Sequence, residues 1–228
     1  MLGCRNVAIE DSGGCVDLRR SLPLSGIVFV VLLLLAIVGL GGNTPESSAS
    51  ADEVASFYAD QDVRQGIAAF VLAATAPFLV LFALSMAGRW ATAAGRERSI
   101  WERLLVAGSV ITASAVVVAA LIHFALVDGA DQGVSSTALQ ALNVLDANVW
   151  LPFNSGLGVM MLGAAGLLLG GAFLPRWLGW AALVFGIALF IPFADFFALI
   201  LTLIWILAVS VMLYRAPQED RQSLVATA

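Results

Sequence analysis

One histidine, His123, stands near the end of an apolar run at residues 104–127. An imidazole can take up a proton or bind a metal, and an ionisable group inside an apolar segment is costly enough to raise a functional hypothesis. Asn143, Asp146, Trp150, Asn154 and Gly158 follow at steps of three, four, four and four, the spacing of one face of a continuous helix. Asp195 lies in a short polar break within the last apolar stretch. His123, Asp146, Asn154 and Asp195 therefore form a candidate polar cluster at one level of a helical bundle. One His with two or three carboxylates suits a divalent cation or a proton relay. The plainer reading is an interhelical hydrogen-bond network that fixes helix register. A single His without a repeated ligand motif favours the plainer reading, so no metal site is assigned. No P-loop, HExxH, GxSxG or dinucleotide fingerprint is present. We therefore expect no enzyme, no catalytic residues and no cofactor.

Two smaller patterns bear on assembly and compartment. Gly166 and Gly170 form a GxxxG, with Gly156 and Gly163 close to the same face. Small residues let helix backbones approach closely, either within one bundle or across a dimer seam. Cys4 and Cys15 are the only cysteines. Their spacing fits no zinc or redox motif, and no disulfide is expected of them in a reducing compartment.

The elements that must position these residues are membrane-spanning helices. Apolar residues make up 61% of the 228-residue chain, charged residues 12%, and mean hydropathy is +0.96. That surplus exceeds what one soluble core needs. The predicted fold is an all-α integral membrane bundle of six transmembrane helices over residues 22–214, flanked by tails at 1–21 and 215–228. Spans are expected at Leu22–Leu40, Gly66–Ala87 (with Pro77 kinking it), Leu104–Val127, Val149–Phe173, Leu178–Ile191 and Phe196–Tyr214. The last two come from 37 nearly unbroken apolar residues, about 55 Å as one helix against a hydrocarbon core of about 30 Å. Pro192 and Asp195 mark the fold-back, and Leu174–Trp177 would lengthen the short fifth span.

Ser50 followed by Glu53 reads as a capping box opening a short interfacial helix to about Ala59 in the first outer loop. Its face is Val54, Phe57 and Tyr58, suited to the membrane surface or the bundle mouth. Ser135 or Ser136 would cap a second short helix whose apolar stripe is Ala138, Ala141, Leu142 and Leu145. This helix is expected to run straight into the fourth span, with Pro152 at the junction.

Orientation follows from charge. All eleven basic residues are Arg, and ten of them fall in segments that share one face of these spans; only Arg64 falls on the other. The positive-inside rule places that face, with both termini, in the cytoplasm of a cell whose cytoplasmic membrane holds this multi-pass chain. Trp90, Trp101, Trp177 and Trp180 would form the inner aromatic belt and Trp150 would mark the outer boundary. Trp205 falls mid-span. No basic cluster is dense enough for nucleic acid.

The segment LPRWLGWAALVFGIALFIPFADFFALILTLIWILAVSVMLYR at 174–215 resembles the C-terminal half of a family of uncharacterised small multipass membrane proteins common in actinobacteria. NTPESSASADEVASFYAD at 43–60 resembles their first outer loop. The resemblance implies a multipass bundle and no assigned activity. The central thirds of the spans offer little polarity beyond Thr75, Thr112, Ser114 and Thr202. That favours a structural or accessory membrane subunit, in contact with membrane lipid and with a membrane-protein partner or a second copy. The alternative is a small carrier or outer-leaflet lipid-binding protein with an outward-facing polar cavity.

Overall fold

A computed structural model of the chain describes residues 21–94, 99–171 and 174–215, with side chains at 92–94 left aside. Cys4, Cys15, Arg96, Arg98, Phe173 and nearly all of both tails lie outside the described residues. The described residues form helices and no strand. α1 is Leu22–Gly41, opening as one 3-10 turn and closing as a π turn from Leu35. α2 is Ala51–Asp60, α3 Asp62–Ala94, α4 Ile100–Asp131, α5 Ser136–Ala147, α6 Trp150–Gly170, α7 Arg176–Ala188 and α8 Asp195–Arg215.

Five segments are long and apolar enough to cross a membrane: α1, the Asp62–Ala91 part of α3, α4, Ser136–Gly170 and α8. α7 has 13 residues, about 20 Å, and falls short of that length. The expected extension through Leu174–Trp177 forms only in its second half, with Arg176 and Trp177 helical and Leu174 and Pro175 outside. Pro175 is extended at ψ 134° and the helix starts at Arg176, since a proline cannot continue a helix backwards through its own missing N–H. The fold-back lies where Pro192 and Asp195 point. Phe193 takes a left-handed φ of 69° there, which a non-glycine residue rarely adopts.

α1, α3, α4, α6, α7 and α8 pack in chain order as a ring, each on its neighbours, and α8 closes on α1. Fully buried side chains fill the middle: Phe29 from α1, Leu79, Phe82 and Met86 from α3, Leu157, Met160 and Met161 from α6, and Ile206 from α8. Pro77 sits inside an unbroken α3. The hydroxyls of Thr75, Ser85, Ser109 and Thr112 donate to carbonyls of their own helices, so apolar surroundings leave them satisfied.

Tight seams hold the ring. A Cβ on Gly108 would strike the Met160 backbone, one on Gly163 the Leu105 backbone, and one on Gly156 the Thr112 amide at 2.6 Å. Gly166 lies under the Trp101 ring. These glycines serve the α4–α6 contact within one chain. Gly170 differs, because a Cβ there meets nothing within 4 Å.

At 33 and 32 residues, about 50 Å each, α3 and α4 outreach the other ring helices. Their overhanging ends carry α2 and α5, which share a second core of Val54, Tyr58, Leu126, Val127 and Leu139. We call this the capped end. The described arginines Arg89, Arg103, Arg176 and Arg215 lie towards the opposite ends of their helices; Arg64 belongs to the capped end.

Candidate functional site

The site begins with two helix starts. Ser50 is extended (φ −68°, ψ 156°) and its hydroxyl accepts from the Glu53 N–H at 3.3 Å, so α2 starts where the capping box puts it. α2 buries Val54 and Tyr58 completely and only half-buries Phe57, so it packs on the bundle through a narrower face than expected. α4 opens the same way: Ser99 accepts from the Glu102 N–H at 3.2 Å, a cap that reading the apolar run from Leu104 passes over.

α5 departs from expectation. Its buried face is Leu139 and Asn143, while Ala138 and Ala141 are exposed and Leu145 is 52% exposed. Hydrogen bonding explains the rotation away from the apolar stripe. Gln140 donates to the Ala49 carbonyl at 2.8 Å, and Asn143 donates to the Glu46 and Pro45 carbonyls at 3.0 and 3.3 Å. Loop carbonyls buried under a helix need donors, and this polar face supplies them. Ser135 makes no side-chain cap. α5 leads into α6 within one apolar segment, Ser136–Gly170, but through a turn at Asn148 and Val149 rather than straight. The expected single stripe therefore splits. Asn143 and Asp146 stay on α5, while Trp150, Asn154 and Gly158 ride on α6.

The four residues of the predicted cluster come together as two pairs. His123, 7% exposed, places Nδ1 3.1 Å from Asp146 Oδ2. Its Nε2 lies 3.0 Å from Gln65 Oε1, and the Gln65 amide donates to the Gly41 carbonyl at 2.9 Å. The second pair is Asn154, whose amide donates to Asp195 Oδ2 at 3.2 Å. Among the described residues no hydrogen bond links the two pairs. Asn154 stands eight residues, about two turns, beyond Asp146 along the chain, which sets the second pair deeper than the first.

Sequence reasoning missed the roles of Gln65 and Arg64 and the ring contact of Tyr58 with His123. Gln65 is fully buried, although it reads as the last loop residue before an apolar run. Arg64 donates to the Gly39 carbonyl at 3.2 Å. With Gln65 it satisfies the last carbonyls of α1, where the helix dipole favours a cation. Gly42 has φ 63°, and a Cβ there would lie 2.9 Å from the Arg64 guanidinium. The lone basic residue on the expected outer face thus has a local task.

Tyr58 sets its ring edge-on to His123, centroids 5.7 Å apart. Its hydroxyl is buried without a partner. Burial pushes the Tyr58 phenol above its ordinary range, and the Asp146 carboxylate adds to the shift.

Chemically the arrangement can hold a proton between an imidazole and a carboxylate under an apolar lid. It lacks the ligand count of a metal centre: no group of three His, Cys, Asp or Glu side chains is placed to hold an ion among the described residues. The chain matches no family model, no curated protein and no solved structure.

Proposed function

We propose that the chain is a six-crossing protein of the cytoplasmic membrane, with both termini inside. It serves as a non-catalytic structural or accessory subunit whose capped end faces outward. The observation that carries this reading is the division of the molecule. Polar side chains concentrate under α2 and α5, while the ring axis is filled by large apolar side chains. A carrier of polar solutes binds near the midplane on broken helices, and a packed apolar axis is poor ground for that.

The Asn154–Asp195 bond supports the sixth crossing. It joins the second turn of α6 to the first residue of α8, so the two helices start at the same end. The chain must return between them, and α7 is the segment that does so. Phe190 packs against Gly158, two turns into α6, which sets the α7–α8 turn well below the start of α6. The exposed Phe190, Ile191, Phe193, Phe196 and Phe197 then lie in the outer leaflet. The described arginines at the far end agree with an inner face.

One feature favours lipid binding as the second reading. An open groove of about 400 Å³ runs between α3 and α4, lined by Ala76, Pro77, Val80, Val110, Ala113, Ser114, Val117 and Val118. Small side chains beside a helix proline leave room there for an acyl chain.

Photo-crosslinking in cells from Val134 at the capped end and Val80 in the groove, followed by mild-detergent purification and mass spectrometry, tests both readings. One recurrent protein crosslinked from Val134 supports the accessory subunit. Lipid alone from Val80, with nothing from Val134, shifts the function to lipid binding.

A further inference from the structure

The proton count at His123 follows from which neighbours can donate. Four groups lie in a row: the Gly41 carbonyl, the Gln65 amide, the His123 ring and the Asp146 carboxyl, with contacts of 2.9, 3.0 and 3.1 Å. A carbonyl only accepts, so Gln65 must turn its NH2 to Gly41 and its oxygen to His123 Nε2. Turning the amide over sets two acceptors against each other at the Gly41 contact. Nε2 therefore carries a hydrogen. At the far end Asp146 Oδ2 meets Nδ1. That contact holds a hydrogen only if Nδ1 is protonated as well, giving an imidazolium, or if the carboxyl is. With a carboxylate and a neutral ring, one short contact in the row has no hydrogen.

We infer that His123 and Asp146 form a proton-binding site whose bound proton closes the capped end. Imidazolium–carboxylate and neutral imidazole–carboxylic acid are two arrangements of that same proton. The closed row ties together the end of α1 through Gly41, the start of α3 through Gln65, α4 through His123 and α5 through Asp146. Losing the proton leaves one of three contacts without a hydrogen: His123–Asp146 while Nε2 keeps its own, which loosens α5 directly, or Gln65–His123 or Gln65–Gly41 if the ring hydrogen moves to Nδ1. α5 also holds the 45–49 loop through Asn143 and Gln140, so a loosened α5 frees that loop as well.

The groups facing the pair leave the proton to it. α2 presents Tyr58, neutral and without a partner at its hydroxyl. α3 presents Gln65 and, beside it, Arg64, whose guanidinium reaches the Gly39 carbonyl and Gln61. α5 presents Asp146 and the neutral Asn143. On α4 the nearest charge is Asp128, exposed and bonded to Gln132. A proton bound only by the closed state favours closure at low pH and releases it as pH rises. The site stands whether or not the capped end meets a partner subunit.

His123 is the only histidine in the chain, so 15N-histidine labelling gives one pair of ring-nitrogen signals. The full chain, purified by a tag without histidine and held in lipid nanodiscs, is followed by NMR from pH 5 to pH 9. Amide exchange is followed in parallel at residues 51–60 and 136–147. We expect Nε2 to carry its proton at the acid end. With the ordinary base-catalysed rise of amide exchange divided out, protection in both helices should fall on the order of tenfold as the pair deprotonates, the effect of one lost hydrogen bond. Asp146→Asn should stay closed across the range, because its amide donates to Nδ1 while a neutral Nε2–H serves Gln65. A wild-type ring with bare Nε2 at pH 5, exchange that ignores the ring's titration, or an Asp146→Asn protein that keeps the pH response would each overturn the site. The wild-type signals decide the matter alone if the variant does not fold.

Discussion

At the scale of single residues, the capped end rests on groups that are costly to leave unpaired. His123→Ala strands Asp146 and the Gln65 oxygen in a buried place, and should lower stability by about 1–3 kcal/mol in a thermal unfolding series in detergent. Added divalent metal should leave the wild-type melting temperature unchanged; a rise lost in His123→Ala would restore the metal reading. Tyr58 makes the opposite forecast. Its hydroxyl is buried without a partner, so Tyr58→Phe should be neutral or stabilising. The phenol's raised ionisation also sets a sign. The folded chain keeps Tyr58 neutral where the unfolded chain ionises it, so this residue costs stability as pH rises past its ordinary value near about 10. Tyr58→Phe should remove that alkaline loss, and a melting series at pH 8 to 11 measures it. Of these residues His123 and Asp146 were legible from the sequence, because an ionisable group in or beside an apolar helix stands out. Gln65 was not, since a neutral amide at a loop end looks like any solvated residue until a helix covers it.

At the scale of elements, the glycine seams and the caps make forecasts. Gly108→Ala sets a methyl against the Met160 backbone, which has no rotamer to move, and should cost about 1–3 kcal/mol by forcing α4 from α6. Gly66→Ala is the control. It is helical with nothing within 4 Å of the new Cβ, and should raise stability by up to about 1 kcal/mol. Equal effects at both positions in the same melting assay would show that the seam is not as close as described. Ser50→Ala should cost about 0.5–2 kcal/mol locally, read as faster amide exchange in α2. The start of α2 was legible because a capping box acts within four residues. The face of α5 was not, because it is set by the carbonyls of Pro45, Glu46 and Ala49, about a hundred residues away in the chain. The break at Asn148 was hidden for a related reason: no glycine marks it, and Pro152 sits too late to place it.

At the scale of the whole molecule, the apolar runs showed an all-helical chain and roughly where the helices among the described residues begin, five of its segments being long and apolar enough to cross a membrane. They did not reveal that α3 and α4 overhang the ring, though the shortness of α7 was already visible in its run. Overhang depends on where the cap docks, and apolar length alone is silent on that. The central claim is that the polar cap lies outside and the chain crosses six times, and labelling intact cells with a membrane-impermeant thiol reagent tests it most directly. In three single-cysteine proteins the cysteine is Cys15 itself, Gln132→Cys or Asp220→Cys, with the remaining native cysteines replaced by Ser. The account predicts label at 132 in intact cells, and at 15 and 220 only after permeabilisation. Label at 220 but not at 15 would mean five crossings, and protection of 132 with label at both termini would mean an inverted chain; either contradicts it.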